Sequence, residues 1–397
     1  MGPRLRNTNE WVCVAPILAV AFLKRPLTAG KKYAVNSGGP GKMEYYHQKN
    51  REGRMDTIRF HFAVLAATVA IAFAGITAVA PAGAAECARG DLDKRYCDAN
   101  GDLVADTPSD ASKLLDPDTL VFSYTPVEDP AVYENVFVEF MDFLSKKTGK
   151  KVKWYGAESY AAQIEAMRSG RLHVAGISTG PTVFGVNLAG YVPLAIMGKS
   201  DGRFGYKLQL ITHKDSDIKE VKDLKGRKIA HVTPSSNSGN QAPRALFKSM
   251  GVQPDVDYKV IYSGKHDNSI MGVANKDYDA APIASSVLDR MHDKGVVNKN
   301  DLRIIWESKN FPTTSYGYVY NLKPELQKQI REAFLTFDWT GTALKKEFGK
   351  KSDRFIPITF KEHWIDIRTI QKTNGVTYTD QSLKGLKVKK KKKKKKK

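Results

Sequence analysis

Cysteine is scarce. Three stand in 397 residues, and only Cys87 and Cys97 lie beyond residue 84. With no histidine or further cysteine beside them, a thiolate zinc site is excluded; an even pair in an oxidising compartment is expected to bond instead. No nucleophile–base pair and no cofactor lysine stands out, so enzyme chemistry is not expected. One sign of charge is also missing where it would matter: the loops that follow the strands hold almost no Lys or Arg, Lys265 excepted. The formal net charge of +21 is therefore misleading. Residues 1–84 hold 11 Lys/Arg against 4 Asp/Glu, and Lys389 to Lys397 add nine more charges, which leaves +5 for everything between. Excess charge confined to a leader and a tail does not argue for a nucleic-acid partner.

What is present begins with an address. From Met55 the chain reads MDTIRFH, an apolar stretch FAVLAATVAIAFAGITAVA, and small residues Ala82 and Ala84 in an A-x-A arrangement. This is the order of a signal peptide over 55–84, cleaved near Ala84; a transmembrane anchor is the competing reading, because the apolar stretch approaches spanning length. Residues 1–54 fit neither, and translation is expected to start at Met55, with a cytosolic leader ahead of a signal anchor over 58–80 as the alternative. Residues 85–117 then read as an N-terminal linker with the disulfide and an Asp-rich loop. Asp98, Asn100, Asp102 and Asp106 occupy positions 1, 3, 5 and 9 of a calcium-loop spacing, though the loop lacks the glycine at position 6 and the glutamate at position 12. A solvated Asp/Asn turn is the alternative. The nine terminal lysines, 389–397, repel one another and are expected to stay unfolded.

From Thr119 onward, short β-rich runs alternate with amphipathic stretches. Strands are expected at Thr119–Tyr124, Val152–Tyr155, His173–Ser178, Tyr206–Thr212, Lys228–Val232, Tyr258–Tyr262, Asp279–Ile283, Arg303–Trp306 and Tyr316–Tyr320. Helices are expected at Tyr133–Thr148, Ala161–Arg168, Gln241–Met250, Ser269–Asn275 and Val287–Lys294. This rhythm implies α/β architecture with mainly parallel sheets, whose ligands bind beyond the carboxyl ends of the strands. The loops there read TPVEDP, GAESY, TGPT, TPSSNSGN and SGKHDN. Serine hydroxyls and amide N–H groups at helix N-termini hold an oxyanion without a cationic side chain, although Ser and Asn at such places are also ordinary helix caps. In TPSSNSGN no Lys-Ser/Thr follows the glycine, which excludes a P-loop there.

The segments SYTPVEDPAVY, YGAESYAAQIEAMRSGRLHVAGISTGPT, KDLKGRKIAHVTPSSNSG and SGKHDNSIMGVANKDYDAA, in this order between about Leu120 and Tyr378, resemble the phosphate/phosphite/phosphonate substrate-binding proteins of ABC transporters. The resemblance implies a type II periplasmic-binding-protein fold: two βα lobes joined by two crossover strands. Lobe I would take 118–212 and 307–388, lobe II 213–306, with hinges near Thr212–His213 and Ser308. It also implies a periplasmic location, a permease partner in the inner membrane, no cofactor, and a small phosphorus anion as ligand. A sulfonate or carboxylate ligand, or a sensor co-receptor on the same fold, are the alternatives. The family's Ser-Thr-Ser-Gly motif falls on Ser236, Asn237, Ser238 and Gly239, with Asn replacing Thr. Its ligand tyrosines fall on Tyr160 and Tyr206, which could equally be core aromatics. Its histidine falls on His266, followed by Asp267, and Thr179 is a further rim candidate. Glu128 and Asp129 either cap the next helix or offer a carboxylate to a partly protonated anion. Members that take aminoalkyl phosphonates carry acids where this chain has Ser286 and Thr314, which favours a ligand without an amine.

Intact-mass analysis of exported material is expected to find the chain beginning within a few residues of Ala85; residues 1–54 still attached would overturn both the start site and the cleavage.

Overall fold

The computed structural model describes residues 87–387. The leader with Cys13, the export segment 55–84 and the lysine run 389–397 lie outside the described residues. In chain order the strands are β1 (Thr119–Tyr124), β2 (Lys151–Trp154), β3 (Val174–Ile177), β4 (Tyr191–Gly198), β5 (Tyr206–His213), β6 (Lys228–His231), β7 (Lys259–Tyr262), β8 (Ala280–Ala284), β9 (Leu302–Phe311), β10 (Ser315–Val319) and β11 (Arg354–Pro357). The helices that matter for the site are α1 (Val138–Thr148), α2 (Tyr160–Arg168), α3 (Thr179–Ala189), α4 (Ala242–Ser249), α5 (His266–Ala274), α6 (Ser285–Asp293), α7 (Pro324–Thr336), α8 (Ala343–Phe348) and α9 (Ile365–Thr373).

Two sheets result. The first runs β11–β4–β10–β3–β1–β2 and the second β7–β6–β8–β5–β9. In the first, β1 pairs in parallel with β2 and β3, while β10 is antiparallel to β3 and β4. In the second, β6 pairs in parallel with β7 and β8, while β5 is antiparallel to β8 and β9. Each sheet is thus a βα unit with a reversed strand inserted from the other sheet, β10 in the first and β5 in the second, and the first sheet adds a further reversed strand, β11, at its edge. Because β5 and β9 hydrogen-bond wholly within the second sheet, the chain crosses at 199–205 and 312–314. The hinges therefore lie outside the expected Thr212–His213 and Ser308, and 206–311 forms the second lobe. The crossing runs straight on into β5, and nothing in a strand's own residues says which sheet it will join.

Three elements differ from expectation for physical reasons. β4 contains Pro193, which lacks a ladder donor and argues against a central strand. Here β10 has a register shift between Tyr316 and Gly317, opposite Pro193, and a Cβ on Gly317 would fall 2.0 Å from the Val192 carbonyl; the glycine makes the irregular pairing feasible. α3 is buried at every residue, so it carries no amphipathic period to read. The expected helix Tyr133–Thr148 is broken, with a short turn Ala131–Glu134 before α1.

One core runs through both lobes, from Phe122 and Tyr316 to Leu208, Ile270 and Ile283. In the first lobe Phe140 packs on Phe334 at 4.6 Å and Tyr316 on Phe355 at 4.7 Å; in the second, Leu210, Ile229, Phe247, Val252 and Tyr258 form an additional smaller cluster. Residues 87–115, expected as a linker, strap the first lobe. Asp93 N–H donates to the Asn187 carbonyl at 2.8 Å, Arg95 donates to the Leu188 carbonyl at 2.7 Å, and Tyr96 is buried against Tyr320. Cys87 and Cys97 are bonded, with Cα atoms 5.5 Å apart. In the Asp-rich loop, Asp98 accepts the N–H groups of Asp102 and Leu103, Asn100 accepts Asp102 N–H, Asp102 accepts Val104 N–H, and Asp106 accepts Ala99 N–H. Its oxygens close the loop on its own backbone, and no cluster of three or more His, Cys, Asp or Glu gathers in metal-binding geometry among the described residues.

The bridge closes a short loop on the strap, whose contacts with Asn187, Leu188 and Tyr320 lie in the first lobe. Cys97→Ser is expected to cost about 2–3 kcal/mol in a denaturant titration while calorimetry finds ligand affinity nearly unchanged; an affinity loss of about tenfold or more would show that the strap shapes the cleft.

Candidate functional site

A cavity of about 120 Å³ opens between the lobes. First-lobe residues Tyr124, Val127, Ser178 and Thr179 line one side, and Tyr206, Ser236, His266, Ser285 and Ser286 the other, with Thr313 and Thr314 at the second crossing. The cavity is large enough for several waters or a small ligand.

Helix starts converge on it, as the carboxyl ends of β3, β6 and β7 require. Ser178 precedes α3 without capping it through its side chain. Asn237–Gln241 form a single π-helical turn ahead of α4, and the Ser236 hydroxyl accepts Gly239 N–H at 3.2 Å. The first amides of such turns have no intrahelical acceptor and favour negative charge. Gly239 is required by packing, since a Cβ there would fall 2.4 Å from Val232 Cγ2. The two rims touch: a Cβ on Gly180 would stand 2.1 Å from the Ser235 carbonyl oxygen.

His266 opens α5. It is buried, and burial lowers its pKa to about 3, so its imidazole is neutral. Ala284 N–H donates to Nδ1 at 3.2 Å, which leaves the proton on Nε2, 3.4 Å from the Ser236 hydroxyl. The ring is therefore a neutral donor facing the cavity. Beneath it, His231 is held by Asn240 at 2.9 Å and Tyr258 at 2.8 Å, and burial lowers its pKa to about 4. Asn240 also donates to the Pro234 carbonyl, so this buried network fixes the loop that carries Ser235 to Ser238.

Of the sequence-derived residues, Thr179, Tyr206, Ser236 and His266 line the cavity. The Thr179 hydroxyl is spent on the Pro312 carbonyl at 2.8 Å, so only its backbone faces an anion freely. Tyr160, Asn237 and Ser238 are buried beside the lining residues rather than among them. Asn237 Nδ2 donates to the Tyr206 hydroxyl at 3.2 Å and leaves its own Oδ1 unpartnered. The Tyr160 hydroxyl lies toward Ser178 but outside hydrogen-bonding geometry, and burial raises its pKa. Ser238, Ser235 and Thr125 also carry buried hydroxyls without a partner. A buried polar group left without a partner costs about 1–3 kcal/mol. Asp267 is half-buried, its pKa raised by burial, and it does not line the cavity. Asp129 caps the following turn through Ala131 N–H, whereas Glu128 turns instead to Arg290.

Sequence reasoning missed the charged outer half of the cavity, where Asp289, Arg290, Asp293, Glu347, Lys350 and Lys351 stand. These charges pair among themselves: Lys351 with Asp289 at 3.2 Å, Lys350 with Asp293 at 2.7 Å, and Arg290 with Glu128 at 2.6 Å. It also passed over two stretches spelling G-x-S-x-G, Gly176–Gly180 and Gly198–Gly202. A nucleophile elbow holds its serine on a sharp, strained strand-to-helix turn. Ser178 lies in ordinary extended backbone at φ −59°, ψ 154°, and the second stretch turns back into β5 rather than into a helix.

Two lobes of matching strand order, closed over a cavity lined by neutral donors, define a solute-binding protein of the type II periplasmic class. Over residues 122–364 the chain matches the family described as the phosphonate periplasmic substrate-binding protein of ABC transporters, and it belongs to that family. It is a transporter's ligand-capturing component, not an enzyme. It is 29% identical over 243 residues to the phosphate-import protein PhnD of Mycolicibacterium smegmatis, covering 58% of this chain and 75% of that one. It is 26% identical over 205 residues to the phosphonates-binding periplasmic protein of Escherichia coli, covering 51% and 61% respectively. Two solved structures share the fold. One is the binding component of a Pseudomonas aeruginosa ABC phosphonate transporter, with a TM-score of 0.59, 23% identity, and 65% of this chain and 88% of that one covered. The other is PhnD1 of Prochlorococcus marinus in complex with methylphosphonate, with a TM-score of 0.58, 19% identity, and coverage of 66% and 99%.

His266 and His231 have folded pKa values below the ordinary histidine value, so the unfolded chain binds more protons below about pH 6.5. Stability is expected to fall as pH drops from there toward 4, each buried imidazole adding about 1.4 kcal/mol per pH unit to the slope. Urea midpoints at pH 7 and pH 5 are expected to differ less for His266→Gln than for the natural chain; an equal loss in both would mean that His266 is not buried neutral.

Proposed function

We propose that this chain captures a small phosphorus oxyanion, phosphonate, phosphite or phosphate, by closing its lobes, and delivers it to an inner-membrane permease. Export through the 55–84 segment, with cleavage near Ala84, is part of this reading, and capture needs no cofactor. The observation that carries it is the cluster of buried, unmet polar groups around a small cavity: Thr125, Tyr160, Ser235, Asn237 and Ser238. A tetrahedral oxyanion offers several acceptor oxygens, and hydroxyls can each donate one hydrogen bond. Turning the Asn237 amide by half a turn lets its oxygen accept from Tyr206 and frees its NH₂ for the anion; O and N of an amide are assigned from such networks. His266 Nε2–H completes a set of neutral donors. The cations lining the cavity, Arg290, Lys350 and Lys351, are paired with carboxylates and are not needed as counter-charges.

Ser286 and Thr314 line the cavity as neutral groups. An aminoalkyl phosphonate would have to take a carboxylate from an existing lysine or bury its ammonium unpaired, at a cost of several kcal/mol.

Calorimetry with phosphite, methylphosphonate, phosphate, methanesulfonate, acetate and 2-aminoethylphosphonate is expected to place one of the first three tightest. Ser238→Ala is expected to weaken that ligand by about ten- to a hundredfold, the worth of one charge-assisted hydrogen bond. Tightest binding of the sulfonate or acetate would overturn the ligand class. Tightest binding of the aminoalkyl compound would assign Asp289, Asp293 or Glu347 to its ammonium.

A further inference from the structure

Among the described residues, the one guanidinium lining the cavity belongs to Arg290, on α6 of the second lobe, and its side-chain partners lie on the first lobe. Its Nη2 and Nε lie 2.6 Å and 3.1 Å from Glu128 Oε2, and Nη2 also reaches the Tyr133 hydroxyl at 3.2 Å. The Tyr133 hydroxyl donates to the same carboxylate oxygen. Glu347 of α8 stands 3.8 Å away, and the face of Phe348 lies 5.6 Å from the guanidinium carbon. Tyr133 and Phe348 stack with centroids 6.3 Å apart and ring planes nearly parallel at 7°, so the arginine inserts beside an aromatic wall. Both charges are nearly dry: side-chain exposure is 13% for Arg290 and 8% for Glu128. Burial would push Glu128 up, but Arg290 and the Tyr133 hydrogen bond outweigh it and hold the carboxyl below its ordinary range.

We infer that Arg290 is a positioning residue for lobe closure, clasping the loop Thr125–Asp129 of the first lobe onto the second rather than binding the anion itself. This rests on reading the cleft as one that closes over an anion. Two features tie the clasp to the site. The residue before Glu128, Val127, lines the cavity, and its carbonyl accepts the first N–H of α5, from His266, at 3.2 Å. Thr125, at the start of the same loop, carries one of the unmet hydroxyls. Holding Glu128 therefore seats the loop over the anion donors. When the lobes part, Glu128 keeps Tyr133 but loses Arg290, and both charges regain water. An arginine–carboxylate contact made in one conformation alone shifts the balance between the two conformations by its differential strength. Removing one partner leaves the other buried and unpaired only in the closed form.

The test uses the exported chain with Val256→Cys and Glu325→Cys added as exposed dye sites, one on each lobe. Inter-lobe energy transfer and ligand dissociation are followed in three backgrounds: Arg290→Gln, Glu128→Gln and both together, with methylphosphonate, phosphite and phosphate as probes. Each single change is expected to lower the closed fraction at a probe concentration that half-closes the parent, and to speed dissociation about tenfold or more. The double change is expected to cost clearly less than the product of the singles, because neither charge is then stranded. A weakened affinity with the closed fraction unchanged both without ligand and at saturation, and with Glu128→Gln matching the parent, would make Arg290 a direct ligand group and overturn the inference. So would singles that match the parent in both readouts. If the parent closes with none of the three anions, the functional reading fails. The ligand-free closed fraction then still ranks the parent above both singles if the clasp is real, and equal fractions overturn it.

Discussion

An anion held by neutral donors is held only where water is kept out, and the rest of this structure serves that exclusion. Hydroxyls and peptide amides lose to bulk water as partners for a charge unless the surroundings are dry and the donors already point inward. Here the drying agent is the meeting of two lobes. The α3 start presses on the Ser235–Asn237 turn so tightly that only glycine fits at position 180. The cationic side chains at the cavity are spent on carboxylates, not on the space a ligand would take.

The sheet order explains why the donors are where they are. In each lobe the parallel strands end at the cleft, so every helix that follows begins there, with its unpaired amides facing inward. The reversed strands β5 and β10 carry the chain across and back, which leaves the cleft flanked by two short crossings. The same topology places α6 and α8 on opposite rims, where Arg290 meets Glu128, Tyr133 and Phe348. On the proposed reading, capture and closure draw on different chemistry in one cavity: neutral donors for the anion, an ion pair and an aromatic face for the lobes.

Much of this was legible in the sequence. The alternation of β-rich runs and amphipathic stretches defined the α/β class, and the loops with serine and asparagine in place of Lys and Arg marked the anion rim. Ser236, His266 and Tyr206 could be named only because the segments that hold them resemble the family's motifs, and all three line the cavity. What stayed hidden has a physical reason in each case. α3 is buried on every face, and β4 carries a proline opposite Gly317, which makes the irregular pairing feasible. The lobe boundary fell in the wrong place because strand partners are chosen in three dimensions. The role of Arg290 was out of reach: its partner lies 162 positions away in sequence, and a helix carrying Asp, Arg and Asp reads as an ordinary solvated face. Glu128, read as a cap or a proton acceptor, is neither, because that arginine reaches it first.

The division of labour has a consequence for selectivity. A formal cation in the cavity would attract any small anion of sufficient charge, since Coulomb attraction carries little shape information. Directed donors with fixed lone-pair and proton roles discriminate instead by how many of them a ligand satisfies at once. The tautomer of His266 is set by the Ala284 amide, and the serine loop by Asn240 and His231 beneath it, so the donors cannot easily rearrange to suit a planar carboxylate. A tetrahedral anion meets several of them together, whereas a ligand that meets fewer leaves buried hydroxyls unpaired and bears that cost in affinity. On the proposed reading, this arrangement selects by an unmet-group penalty and keeps its charges for closure.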